Sequence, residues 1–297
     1  MGRRRNQNRA AMMIVVVSAL CMIALMVMFF SMALDRNAIA AELGLGTTAA
    51  NGLLKGKVYN TKKGTSFRKA GGDVISGNLD SAKALLADAG IDPSDYDTIW
   101  VLVCSDAMND SPASQSKGFM SNEKKILLKA VETWQNLGFE VEYEILPYHS
   151  YDEDGVDNGF IANVDKYDIV GMDYQMISAY ALYDLAMFSS EYSGNASLLK
   201  GYVSEEYDSL LTDAFKESDL DKRAEILHTA EKLLVADEAA VIPVVFNTNA
   251  YVVSGELSKV KTNYWGVQIF TKTVLKNYVQ YLPSVRAAAS NDDETAE

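Results

Sequence analysis

The chain opens on a long uncharged run and then alternates between two apolar periods. Residues 10–34, "AAMMIVVVSALCMIALMVMFFSMAL", hold no charged side chain, and about 20 such residues suffice for a helix to cross a bilayer. In "LDSAKALLADAGI" the residues Ala82, Leu85, Leu86 and Ala89 share one helical face, with Asp80 as the expected N-cap and Gly90 as the stop. "TIWVLVCS" (98–105) reads as a buried strand. "SNEKKILLKAVETWQNLGF" returns to helical spacing, capped by Ser121, with Leu127, Val131 and Trp134 inward and Gly138 ending it. "EVEYEILPY" alternates as a strand, and "YDIVGMDYQM" (167–176) reads as another, in which Asp168 suits a turn and Asp173 interrupts the apolar run. Two further helices are expected at 204–216, capped by Ser204, and at 218–236, where Ser218 and Asp221 have capping-box spacing. "AAVIPVVFNTNAYVV" (239–253) is strand-like, with Pro243 suited to an edge or a strand start. The pattern predicts an α/β domain, a mixed sheet flanked by helices. The acidic tail at 284–297 is expected to be disordered.

Charge adds a topology to this picture. Arg3, Arg4, Arg5 and Arg9 lie in a basic tail at 1–9, directly before the uncharged run. Such a flank stays in the cytoplasm, which predicts a single-pass transmembrane anchor at 10–34 and the bulk of the chain outside the cell. The apolar region of a cleaved signal peptide is shorter, about 7–15 residues, although Ser31-Met32-Ala33 has the form of a cleavage site. The net charge of −13 and pI of about 4.7 argue against nucleic acid as a partner. Cys21 and Cys104 imply no disulfide framework.

Most chemical motifs fall away on spacing. "GLLKGKV" (52–58) has too few residues between its glycines for a phosphate-binding loop and lacks a hydroxyl after Lys57. "YDEDGVDNG" (151–159) puts Val156 where a calcium loop needs an oxygen, so a solvated turn is expected. His149 and His228 lack metal-ligand spacing, and His228 is expected to pack or lie on the surface of its helix. No nucleophile elbow is present, and the 40 acids offer many carboxylate pairs without singling one out. No catalytic residue, metal or cofactor is therefore assigned. Ten of the sixteen tyrosines fall between residues 143 and 207. They suit a strand-rich core, or a wall that faces a ligand.

Several stretches together resemble one family. "YDSLLTDAFKESDLDKRAEILHTAEKLLVADEAAVIPVVFNTNAYVV" carries Tyr207-Asp208, Arg223, Ala230-Glu231 and Ile242-Pro243 in the order seen near the C-terminus of oligopeptide-binding proteins, the solute receptors of ABC importers (extracellular solute-binding family 5). "FSMALDRNAIA" resembles that family's helix with Ala33, Leu34, Arg36 and Ile39, while "LDSAKALLADAGID" and "NLGFEVEYEIL" resemble later segments in the same order.

The resemblance implies a type II periplasmic-binding-protein-like fold, here a single C-terminal lobe at 35–263. A return segment at 264–283 would normally pair with an N-terminal lobe, whose place is taken by the apolar segment. It implies Asp173 and Tyr174, with Asn249, as ligand-binding residues: an aspartate-tyrosine pair at this place in the family holds the ammonium end of a peptide. The family continues with an acid and a proline, whereas this chain reads Gln175-Met176-Ile177. The implied partners are a peptide, the permease subunits of an ABC importer and a separate N-terminal lobe. Three alternatives remain open at this point: an anchored protein-interaction module without solute binding, an acidic-site hydrolase, and an Asp173 satisfied by backbone amides at a strand end.

Overall fold

The computed structural model describes residues 26–56, 58–61, 64–105, 121–176, 178–191, 202–248, 251–263 and 266–282. The chain divides into two units, 1–246 and 247–297. The basic tail, residues 10–25 of the uncharged run and the acidic tail lie outside the described residues.

The first unit contains strands β1 (Thr48–Ala49), β2 (Ile99–Cys104), β3 (Val141–Leu146), β4 (Ile169–Gly171) and β5 (Val245–Phe246). β2, β3 and β4 form a parallel sheet in the order β3-β2-β4, with Val101 beside Tyr143 on one side and Ile169 on the other. Successive side chains of a strand turn to opposite faces. Ile99, Val101 and Val103 therefore enter one core with Phe30, Leu86, Leu127, Trp134 and Phe139, while Leu102 enters a smaller one with Phe160 and Val164. Helix Asn122–Asn136, linking β2 to β3, covers the first face; the short turns Phe160–Ala162 and Val164–Lys166, linking β3 to β4, cover the second. A further core is helical. There Phe67, Leu185, Tyr207, Leu211, Leu227 and Leu234 meet, and the fully buried Tyr207 donates its hydroxyl to the Leu185 carbonyl at 2.8 Å.

The predicted anchor needs correction at its C-terminal end. Residues 26–33 are helical, but Phe29, Phe30, Ala33 and Leu34 are buried in the sheet core, and Trp134 Nε1 donates to the Phe30 carbonyl at 3.1 Å. Among the described residues no helix is long and apolar enough to cross a membrane. The domain thus begins several residues before position 35, because the same apolar composition serves a core as well as a bilayer.

Helix starts follow the local chemistry, twice at a neighbouring residue. Ser121 and Ser204 cap as expected. Helix Leu79–Asp88 is capped by Asn78 rather than Asp80, since Asn78 and Ser81 satisfy each other's amides in a reciprocal box. Helix Leu220–Lys232 is capped by Asp219 rather than Ser218, its carboxylate accepting from the Asp221 and Lys222 amides. The strands expected at 167–176 and 239–253 contract to β4 and β5. β4 ends where Gly171 pairs with Val103, leaving Asp173 just beyond the strand.

In the second unit β6 (Leu257–Ser258) pairs with β9 (Val274–Leu275), and β7 (Lys261–Thr262) with β8 (Gln268–Ile269), all antiparallel. None of its described residues is buried, and Val252, Val267, Phe270, Tyr278 and Val279 stand exposed. Two-stranded ribbons without a core are marginal in water. Amides across 257–275 should therefore exchange with deuterium within seconds to minutes, long before those of helix Leu220–Lys232. Equal protection would show that this unit is stable by itself.

Candidate functional site

The strand order points to the carboxyl edge of the sheet as the candidate site. β3 and β4 flank β2, and their connections cross opposite faces, so the strand order reverses at β2. Open α/β sheets bind ligands outside the carboxyl ends of the strands at such a reversal. Here that edge carries Cys104 at the end of β2, Ser105 after it, and Met172 and Asp173 after β4, because Val103 lies beside Gly171. Ser105 donates its amide to the Leu146 carbonyl at 2.9 Å, and its hydroxyl lies 3.5 Å from that of Ser121, the cap of helix Asn122–Asn136. Asp173 is exposed at this edge.

The next residue turns inward. Tyr174 is half-buried against the helical core, its ring edge-on to Phe188 with centroids 6.0 Å apart and its hydroxyl on the Met187 sulfur. Met176 is buried in the same core. Asp184, itself buried, accepts the Ser178 amide at 3.1 Å, and Tyr59 donates its amide to the Ala179 carbonyl at 2.8 Å. The loop that follows Asp173 is thus fastened at several points. Asn249 lies outside the described residues.

Other polar residues close local structure. Asp168 accepts the Trp100 amide at 2.8 Å and donates its own amide to the Trp100 carbonyl, joining β2 and β4 at their start. In the acidic turn, Asp152 accepts from the Asp154 and Val156 amides. Asp157 accepts from the Ser150 and Gly159 amides and lies 2.6 Å from His149 Nδ1. The bond to His149 above all, then those amides, hold Asp157 down to about 2. The solvated turn expected from its spacing is present at 151–156, and its carboxylates are in addition held by the turn's own amides. Among the described residues no group of three or more His, Cys, Asp or Glu gathers to hold a metal.

Two buried ionic groups escaped the sequence. Glu231 is completely buried, accepts the Leu54 amide at 2.9 Å and pairs with Arg68. It sits one helical turn from Leu227 and from Leu234, so an acid on an apolar face was the available signal. Arg36 is buried as well. It donates from Nε to the Pro243 carbonyl at 2.8 Å and from its two terminal nitrogens to the Ser31 carbonyl and hydroxyl. Burial lowers Arg36 to about 10, which still leaves it charged at neutral pH.

Comparison with known proteins places this geometry. A crystal structure of the substrate-binding domain of an oligopeptide ABC transporter from Bacillus anthracis superposes with a TM-score of 0.64 at 19% identity, covering 86% of this chain and 46% of that one. The fold is solute-binding-protein-like. Over 223 residues the chain is 26% identical to the dipeptide-binding protein DppE of Bacillus subtilis, which covers 73% of this chain and 36% of DppE. A solved peptide-binding protein of a peptide ABC transporter matches with a TM-score of 0.55 at 22% identity, over 75% of this chain and 90% of that one. The chain spans less than half the length of DppE and of the Bacillus anthracis structure. No family model matches it. These relatives are binding proteins.

Proposed function

We propose that this chain binds peptides for an ABC importer, as one lobe of a solute receptor, and that Asp173 receives the ammonium group of the peptide's amino end. The observation that carries this reading is the position of Asp173: an exposed carboxylate at the strand-order reversal of a parallel sheet, on a loop fastened behind it. A charge-assisted bond there fixes the register of the ligand. Likeness to peptide-binding proteins supports the ligand class, and their transporters support permease subunits as partners. Tyr174 contributes by anchoring the loop.

A complementary lobe is the second proposed partner. The exposed apolar residues of 247–282 support it, and Lys259, Lys261, Lys272 and Lys276 against Glu256 give that segment a charge opposite to the chain's −13. The same surface favours, as a second reading, a module that docks a protein without binding solute. We place the domain outside the cell, delivered by the basic tail and the uncharged run, whose share in a membrane span or export signal ends before Phe29 because that residue is core.

The test is an NMR titration of the full chain, with and without an added N-terminal lobe of a relative. Asp173→Asn should weaken a free-amino peptide by about ten- to hundredfold and leave its N-acetylated form unchanged. Equal losses for both forms would make Asp173 a structural residue.

A further inference from the structure

Beyond the loop that starts at Asp173, Tyr59 and Tyr180 stand at 50% and 61% of full exposure. A single exposed ring is ordinary. These two, however, are held in a fixed array, with centroids 6.0 Å apart and planes tilted by 57°. Tyr59 lies in a short ladder between Ser66 and Tyr180, tied by its amide to the Ala179 carbonyl at 2.8 Å. Its neighbour Val58 and the facing Phe67 are fully buried, so alternation along the ladder turns Tyr59 to solvent.

The support beneath the ladder is closely packed. His228 stacks on Phe67 at 3.9 Å and lies 2.8 Å from Asn60 Oδ1. A Cβ at Gly71 would fall 2.2 Å from His228 Nδ1, so only a glycine permits this approach. Burial, then the neighbouring Arg68, pull His228 down to about 4, which keeps it neutral at neutral pH. Arg68 in turn pairs with the buried Glu231. Rings fixed in advance lose little entropy when a ligand stacks on them.

Seven chain steps separate Asp173 from Tyr180, at most about 25 Å. A short extended peptide bridges such a distance. We propose that Tyr59 and Tyr180 form an aromatic subsite that selects peptides carrying an aromatic side chain downstream of the amino end held by Asp173. This inference rests on the peptide-binding reading above. Stacking on electron-rich rings favours a planar aromatic group over an alanine methyl.

Two free-amino peptides of equal length decide it, one with a phenylalanine and one all-alanine, titrated into the full chain by NMR. The phenylalanine peptide should bind about three- to tenfold more tightly. Tyr180→Ala and, independently, Tyr59→Ala should erase that preference, whereas Tyr151→Ala, an exposed tyrosine on the acidic turn, should keep it. Shifts at Asp173 with both peptides but no preference, or a preference that survives both variants, overturn the subsite and leave the peptide reading standing. No shift at Asp173 or at the tyrosines with either peptide removes both.

Discussion

Glu231→Ala should destabilise the chain by about 3–5 kcal/mol, read as a lower urea midpoint at an unchanged slope. Truncation removes the acceptor of the Leu54 amide and leaves the guanidinium of Arg68, whose side chain is 15% exposed, without its counter-ion. Burying an unmatched charge costs far more than a buried pair contributes. Replacing both partners by apolar residues, Arg68→Met with Glu231→Leu, should therefore recover most of the loss. A single variant that costs under about 1 kcal/mol would mean that the site relaxes and admits water.

Phe30→Ala should also cost about 3–5 kcal/mol. The ring is 2% exposed, 5.0 Å from Trp134 and 4.9 Å from Phe139 between centroids, so its removal opens a cavity beside both. Near-ultraviolet circular dichroism during urea unfolding reports on those aromatic contacts. Were Phe30 a lipid-facing residue of a span ending at 34, the same change would leave the transition where it was.

Periodicity carried much of the fold. The buried strand at 98–105, the inward row Leu127, Val131, Trp134, and the caps Ser121 and Ser204 were all legible, because each depends on neighbours within a turn or two. What depends on distant partners was not. Phe29 to Leu34 read as membrane because hydropathy alone cannot tell lipid from Trp134. Arg36 finds Pro243 across 207 positions, and Leu54 finds Glu231 across 177. The residues that carried the family resemblance turn out to be fasteners: Asp208 holds the Ser189 hydroxyl and the Ser190 amide, and Arg223 clasps the Glu217 carbonyl between two helices. Asp173 was conspicuous in sequence as an acid in an apolar run. Its place at the carboxyl edge, beside the strand-order reversal, needed the strand order, which no local pattern contains.

The contact of Arg36 with Pro243 also bears on the order of assembly. Closing a loop of 207 positions costs about 5 kcal/mol in chain entropy, and although Ser31 can accept from the terminal nitrogens at once, the Nε of that guanidinium has no acceptor until Pro243 follows. β1 waits in the same way for β5, its antiparallel partner near residue 245. The parallel sheet, whose strands lie between 99 and 171, can close well before either. In a chain threaded through a translocation pore from its amino end, Phe29 and Phe30 can pack as soon as Trp134 and Phe139 have followed. Arg36 and β1, made soon after them, are thus expected to be among the last to find their partners.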